Sequence, residues 1–483
     1  MSRLVVGPFN RVEGDLEVKL EISGNQVKEA RVNSPLYRGF ERILRDKAPL
    51  DALIYTPRIC GICSVSQSMA AAEALAQAQG LRLPPNGRIA NNIVHAAENI
   101  ADHLSHFYLF FMPDFAREVY AAYPWYADAA ERFKAMTGTA AADVLPARAE
   151  FLHLMGILAG KWPHTLSIRP GGSTRAVTAN EIARMQAIVS GFRRFLQRFL
   201  FGDTLERIAA IASGEELAAW AAERPSYSSD FRHFLHLSAA LELDRLGRAT
   251  DRFMSFGAYR AEEGHLFARG VYEDGAIRPL VTAQITEDVS NAWYVQDGQP
   301  MDPFSGRTEP DADAPDAYSW CKAPRLGGKV MEVGAIARQV VDGNPLIRDL
   351  VSQGGGNVHS RVVARVTEIA HLVLAIEKLL GEIEPGKPFC VQGKIDGSAA
   401  VAGLTEAARG SLGHWMLVEN GRIANYQIIA PTTWNFSPRD MDGKPGALEL
   451  ALEGAPVRKG EKEPVAVQHI VRSFDPCLVC TVH

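Results

Sequence analysis

Polar and apolar residues alternate from residue 4 to about 32, most regularly through Asp15-Leu16-Glu17-Val18-Lys19-Leu20-Glu21-Ile22. Ser23-Gly24-Asn25-Gln26 supplies turn chemistry in the middle, so the stretch predicts a hairpin with one solvated face. Residues 66–79 are alanine-rich and closed by Gly80, which predicts a helix starting just after a cysteine pair. Apolar residues recur at helical spacing over 86–112, closed by Pro113, and again at about 147–158, 179–200 and 357–380; these predict the core helices of a bundle. Residues 204–316 are mixed, with strand-like runs at 266–272 and 293–295 and a Pro/Asp-rich loop at 311–315. Alternation returns over 415–429 around Glu419-Asn420-Gly421, a second hairpin, and 454–462 reads as a charged loop. The predicted class is α+β, predominantly helical, with a long-helix bundle core, an N-terminal hairpin and smaller β regions.

Length alone would suggest about three domains, yet no repeat, low-complexity tract or linker divides the chain. With 483 residues, 47% hydrophobic and 22% charged, an extensive core is expected. A formal charge of -5 supplies no general basic surface and argues against nucleic-acid binding. No apolar run is long enough to span a bilayer, and the first residues lack the long apolar region of a signal peptide. Six cysteines in this length are not a disulfide framework, and a reducing cytoplasm is the expected location. Cys321 and Cys390 stand alone and read as buried small apolar residues.

The other four cysteines form two CxxC pairs, Cys60/Cys63 and Cys477/Cys480, at opposite ends of the chain. Each pair can present two thiolates to one metal. A zinc ribbon spaces its pairs roughly 15 to 20 residues apart, whereas almost the whole chain intervenes here. Closing so long a loop is costly for a mere staple, so a catalytic soft-metal centre is favoured, with a structural zinc or iron-sulfur site as the alternative. A site built from both ends also argues for one cooperative unit, 1–483. The first pair should profit from its helix N-terminus, which favours the thiolate form.

The wider context of the pairs resembles the large subunit of nickel-iron hydrogenases through most of the chain. The motifs are Arg58-Ile59-Cys60-Gly61-Ile62-Cys63, Asp475-Pro476-Cys477 with Cys480 and His483, Arg11-Val12-Glu13-Gly14, Arg38-Gly39-Phe40-Glu41, Ala408-Arg409-Gly410, Gly413-His414-Trp415 and Pro431-Thr432-Thr433-Trp434-Asn435. The resemblance implies nickel held by Cys60, Cys63, Cys477 and Cys480, with Cys63 and Cys480 bridging to an iron that carries carbonyl and cyanide. It further implies that Cys477 passes a proton to Glu13, and that Arg409 overhangs the metals and orients Asp102 and Asp475. Thr432 and Thr433 would serve a cyanide, and Glu41, His483 and a carbonyl near Ile428 or Ile429 a magnesium-like ion. Without the resemblance, Glu13 reads as a surface carboxylate, Thr432 and Thr433 as a plain turn, and His483 as a loose terminus. His95, His103 and His106 read as core histidines, and Arg193, Arg194 and Arg198 as a solvated helix face. Electrons would leave through an iron-sulfur small subunit, which in exported members also carries the export signal.

Three features depart from the usual pattern. Asp15 and Gln67 stand where the family has histidine, Leu109-Phe110-Phe111 where further histidines commonly follow, and Ala408 where it usually has proline. Gln67 can hydrogen-bond but cannot titrate, so turnover should suffer. The combination of Asp15, Gln67 and Leu109-Phe110-Phe111 is similar to that of the hydrogen-sensing members, which resemble enzymes in their centre but signal to a histidine kinase. The expected function is therefore a regulatory hydrogenase large subunit; the alternatives are an energy-conserving uptake hydrogenase and a metal-free scaffold of a quinone-linked complex.

Overall fold

The N-terminal alternation becomes a three-stranded antiparallel sheet in the computed structural model, which describes residues 2–296 and 298–483. Ser2–Val6 pairs with Glu17–Ser23, which turns through Gly24 and Asn25 into Gln26–Asn33. Asn25 adopts φ 60°, a conformation that asparagine tolerates better than the flanking β-branched residues. Leu16, Val18 and Leu20 face the interior while Lys19 faces solvent, as the period of two requires.

The interior is built on the helices Ser64–Ala78, Pro85–Ser105, Ala179–Phe195 and Val358–Glu382. Pro85–Ser105 packs against Val358–Glu382 and is buried around its whole circumference. Its interior faces include Asn91, Asn92, His95, Glu98, Asn99, Asp102 and His103, so this central helix brings polar chemistry into the core. After Ser105 it widens into a π-helical stretch, His106–Phe111, and tightens into a single turn at Met112–Ala116.

The second hairpin is part of a meander of three strands, Ala399–Ala407, Gly410–Glu419 and Arg422–Ile429. Its first strand lies on Ser64–Ala78 so closely that a Cβ at Gly403 would stand 1.8 Å from the carbonyl oxygen of Ala70. Small residues there serve the sheet-helix contact and weaken the strand signal.

Elsewhere the structure corrects the pattern. Residues 147–158 belong to two helices, Thr139–Phe151 and His153–Ala159, separated at Leu152. The mixed segment contains helices Leu205–Ala210, Gly214–Ala222 and Asp230–Ala240, each opened by a Thr or Ser side-chain cap. The strand-like run at 266–272 is divided between His265–Phe267 and Gly270–Glu273, which pair in different sheets. Residues 293–295 form no strand: Trp293 and Val295 donate to the carbonyls of Ser319 and Glu309 in neighbouring loops. Cys321 is buried as expected, but Cys390 is only half-buried. Arg193 is drawn from the solvated face into pairs with Glu206 and Glu377.

The two ends of the chain meet in the main hydrophobic core, which includes Cys60, Cys63, Cys477 and Cys480. Val465–Ser473 brings the chain to Asp475, which adopts φ 56° and turns it towards Cys477. No helix among the described residues is long and apolar enough to cross a membrane.

Candidate metal centre

Cys63 stands at the N-cap of Ser64–Ala78, and Cys477 at the N-cap of the short Leu478–Thr481 turn. The Sγ atoms of Cys60 and Cys477 are 3.5 Å apart, those of Cys63 and Cys480 3.0 Å, and those of Cys477 and Cys480 3.2 Å. All four sulfurs lie within 4.8 Å of one another, fully enclosed. Hydrogen bonds from Cys477, Cys480 and Cys63 pull the Cys60 thiol well below its usual range. Those same contacts push Cys63 well up, and burial does so for Cys477 and Cys480. Four soft donors enclosed this closely, with the first pair at a helix N-terminus, suit a shared cation. The donor set fits nickel, and soft thiolates disfavour hard ions.

Backbone bonds sew the two ends together around the sulfurs. Glu13 N–H donates to the Pro476 carbonyl at 3.3 Å, and Leu478 N–H donates to the Glu13 carbonyl at 2.7 Å. Glu13 and Cys477 thereby form an isolated parallel bridge. Arg38 donates from Nη2 to the carbonyl of Ile59 at 2.6 Å and to that of Val479, one residue before each of Cys60 and Cys480. Glu13 titrates above its ordinary value because it is buried and because the Cys60 charge lies beside it, only partly offset by Arg409.

Arg409 occupies the two-residue turn between Ala407 and Gly410, which pair as the last rung of the hairpin. Its Nη1 donates to Asp102 Oδ2 at 2.6 Å, its Nη2 to Asp475 Oδ1 at 3.1 Å and its Nε to the Asp475 carbonyl at 2.9 Å. One guanidinium thus serves two carboxylates. Burial and the Asp475 charge push Asp102 up to about 8 despite Arg409. Asp475 is held below its usual range against burial, chiefly by Arg409. Asp102 Oδ1 and Asp475 Oδ2 remain buried without a hydrogen-bond partner.

Thr432 Oγ1 accepts from Cys477 N–H at 3.1 Å, which leaves its hydroxyl hydrogen free. Thr433 donates its hydroxyl to the Thr481 carbonyl at 3.2 Å. Gln67 Oε1 is 2.8 Å from His414 Nε2, whose Nδ1 is 2.8 Å from the Tyr426 hydroxyl. Burial lowers His414 to about 3, so the ring is neutral; Tyr426 donates to Nδ1 and the Nε2–H donates to Gln67. Gln67 Nε2 is buried with no partner.

Glu41 and His483 are brought together, with 3.2 Å between Oε1 and Nε2, and Ile428 N–H donates to the same oxygen at 2.8 Å. The terminal residue is buried, and its Nδ1 lies 2.9 Å from the Cys480 carbonyl. Sequence reasoning missed Lys322, whose Nζ lies 3.2 Å from Glu41 Oε2 and 2.6 Å from Gln427 Oε1. Burial opposes the Glu41 charge, but Lys322 and His483 outweigh it and hold the carboxyl at about 2. Neighbouring Glu287 is raised to about 7 by burial, and both its oxygens lack hydrogen-bond partners. Glu287 Oε2 is 3.6 Å from Lys322 Nζ, so Lys322 is the positive charge shared by the carboxylates that, with Gln427 and His483, would serve a hard divalent ion.

One further buried group gave no signal in the sequence. Glu98 accepts from the N–H groups of Val65 and Ser66 and from Trp162 Nε1, fastening the start of the helix that follows Cys63. His95, His103 and His106 are core residues, as expected: His103 bonds Glu368 at 3.0 Å, and His106 bonds the Arg472 carbonyl at 2.7 Å.

Comparison with known proteins gives the same reading of the centre. A family model described as nickel-dependent hydrogenase matches residues 38–142 and 135–483. The chain is 29% identical to the periplasmic [NiFeSe] hydrogenase large subunit of Desulfomicrobium baculatum, covering 100% of this chain and 95% of that one. It is 25% identical to the uptake hydrogenase large subunit of Rhodobacter capsulatus, again over 100% of this chain and 95% of that one. The oxidized Ni-Fe-Se hydrogenase of D. vulgaris Hildenborough superposes with a TM-score of 0.86 at 29% identity, covering 100% of both chains. These relatives are selenium-containing and uptake hydrogenases; the resemblance to hydrogen-sensing members has no counterpart among them. With four thiolates from both chain ends and this match across the chain, the protein belongs to the nickel-dependent hydrogenase family, as a large subunit.

Proposed function

We propose that this large subunit binds H2 at a nickel-iron centre on Cys60, Cys63, Cys477 and Cys480 and splits it heterolytically, with Glu13 taking the proton away. The observation that carries the reading is the cluster of four enclosed sulfurs joined by backbone bridging to Glu13. On the family resemblance, Cys63 and Cys480, whose sulfurs are 3.0 Å apart, would also hold an iron carrying carbonyl and cyanide. When bound, the metals polarise H2 and hold the electron pair. Cys477 would accept the proton at its sulfur, and Glu13, bridged to its segment through the backbone and raised above its ordinary value by burial and by Cys60, would receive and release it. Arg409 keeps a fixed positive charge over the site and excludes water together with Asp102 and Asp475. The free hydroxyl hydrogen of Thr432 and the backbone around Thr433 are the donors available to a cyanide. Glu41 and His483 hold a magnesium-like ion behind Cys480, with Glu287 and Gln427 nearby.

Among the described residues there is no second cysteine cluster, so the electrons need a partner. That partner is an iron-sulfur small subunit in a heterodimer. We place the protein in the cytoplasm as a hydrogen sensor, supported by Gln67 spending its oxygen on His414 where a titratable imidazole would relay protons. A histidine kinase is then the downstream partner. The second reading, an uptake enzyme, is favoured by the names of the relatives it matches. Hydrogen oxidation with an artificial acceptor, measured beside kinase autophosphorylation with and without H2, separates them. Slow turnover with a hydrogen effect on the kinase supports sensing; uptake-level turnover with no such effect overturns it.

A further inference from the structure

Arg338 lies on the helix Ala335–Asp342, is completely buried, and touches none of the four sulfurs' immediate partners except through the chain backbone. Its Nη1 donates to the Ala407 carbonyl at 2.7 Å and its Nη2 to the Ala408 carbonyl at 3.0 Å. Those are the two residues before Arg409. The same guanidinium bonds Glu406 Oε2 at 3.0 Å, Glu368 Oε1 at 2.6 Å and Glu368 Oε2 at 3.3 Å. Glu368 in turn meets His103 Nε2 at 3.0 Å, and His103 directly follows Asp102. Arg338 therefore grips both elements whose side chains meet over the sulfurs: the hairpin turn that carries Arg409 and the central helix that carries Asp102.

The helix holds that turn from a second side. Gly410 adopts φ +127°, and a Cβ there would stand 2.5 Å from the backbone nitrogen of Gly334 and 2.7 Å from Val333 Cγ2. The turn exit is thus pressed against the start of the Arg338 helix. A two-residue turn fixes the backbone of Arg409 but not the direction in which the whole hairpin tip leans. A fork with five donors can fix it, because each bond constrains a different atom of the turn and its two supports. Burying one arginine with two glutamates costs desolvation that an apolar contact would avoid, so an arrangement of this kind is spent on position more than on stability.

We propose that Arg338 is a positioning residue that sets the Arg409 guanidinium against Asp102 and Asp475 over the metal centre. The inference rests on the reading of Arg409 given above. Lysine at 338 keeps the charge beside Glu368 and Glu406 but offers a single nitrogen, which cannot reach both carbonyls and both carboxylates. Glu406→Gln is the second variant: its amide oxygen can keep accepting from Phe256 N–H and Ser411, while its NH2 faces Arg338 Nη1 and breaks that contact.

The test uses the holoenzyme with its partner subunit and reads nickel content, the carbonyl and cyanide infrared bands, H2/D2O exchange, and a crystal structure of each variant. Arg338→Lys and Glu406→Gln are expected to keep nickel and the bands, to displace Arg409 from its 2.6 Å contact with Asp102, and to slow exchange about 10- to 100-fold. Arg338→Lys combined with Arg409→Lys is expected to be no slower than Arg409→Lys alone, because the first acts through the second. If Arg409→Lys is slow while Arg338→Lys and Glu406→Gln exchange like wild type, the positioning role is overturned and the Arg409 reading survives. If Arg409→Lys itself exchanges like wild type, the Arg409 reading falls and the positioning role with it. Multiplied losses in the double variant overturn the proposal by giving Arg338 an independent effect. If Arg338→Lys fails to assemble, Glu406→Gln decides: slow exchange with nickel intact supports positioning, and normal exchange or loss of nickel overturns it.

Discussion

Glu13 is bonded to the Cys477 segment through its backbone, which leaves its carboxyl free for the proton-carrying role proposed above. Glu13→Gln keeps shape and hydrogen bonding but cannot carry a proton, so H2/D2O exchange should fall by about 10²- to 10⁴-fold with nickel retained. Loss of nickel together with activity would make the residue structural. The residues that the structure gathers at the centre, the four cysteines, Glu13 and Arg409, could be named from the sequence. The buried charges around them could not. Arg338, Lys322 and Glu98 look in sequence like ordinary surface charges, and their partners lie 30, 281 and 33 positions away in Glu368, Glu41 and Val65. Only the fold removes them from water and so gives them a role.

Two contacts between elements are exposed to simple tests. Gly403 lets the strand Ala399–Ala407 lie on the helix that begins at Cys63, and Gly403→Ala would drive a methyl into the Ala70 carbonyl. The variant should lose about 1 to 3 kcal/mol, read as a lower unfolding midpoint, and should bind less nickel because that helix shifts. Glu449 joins the helix Ala447–Leu452 to the strand Gln26–Asn33 by accepting from Val32 N–H at 3.0 Å and from the Tyr318 hydroxyl at 2.8 Å. Burial raises its carboxyl from 4.5 to about 7. The folded state therefore holds this proton longer than the unfolded chain does. Its contribution to stability is full below pH 4.5 and is lost as pH rises to about 7. Denaturant unfolding from pH 4.5 to 8 should show Glu449→Gln losing less stability than wild type over that window, by up to about 3 kcal/mol. The same elements mark how far pattern reading extends. The hairpin at 415–429 was legible from its alternation and its Asn-Gly turn. Its partner strand was not, because Ala399, Ala400, Ala402 and Gly403 are chosen for close approach to a helix and carry no β signal.

At the scale of the molecule, the two ends of the chain meet at one enclosed cluster of four cysteines. Arg38 is the stitch, visible in the sequence as part of a motif but with no role evident there. It bonds the carbonyls before Cys60 and Cys480, 441 positions from its second partner, Val479. Arg38→Met should leave the fold standing and weaken nickel retention under chelator challenge by about 10- to 100-fold. Spacing at the two ends was enough to suggest one site, because soft ligands in pairs imply a shared ion. It could not reveal that hydrogen bonds from the other three cysteines pull the Cys60 thiol below its usual range. The most direct measurement is nickel-edge X-ray absorption with metal analysis on the purified wild-type protein and on Cys60→Ser and Cys480→Ser. One nickel with a shell of four sulfurs is expected in the wild type, and loss of nickel when a cysteine from either end is replaced. Full nickel with an unchanged sulfur shell in either serine variant would contradict closure of the chain by a shared metal site.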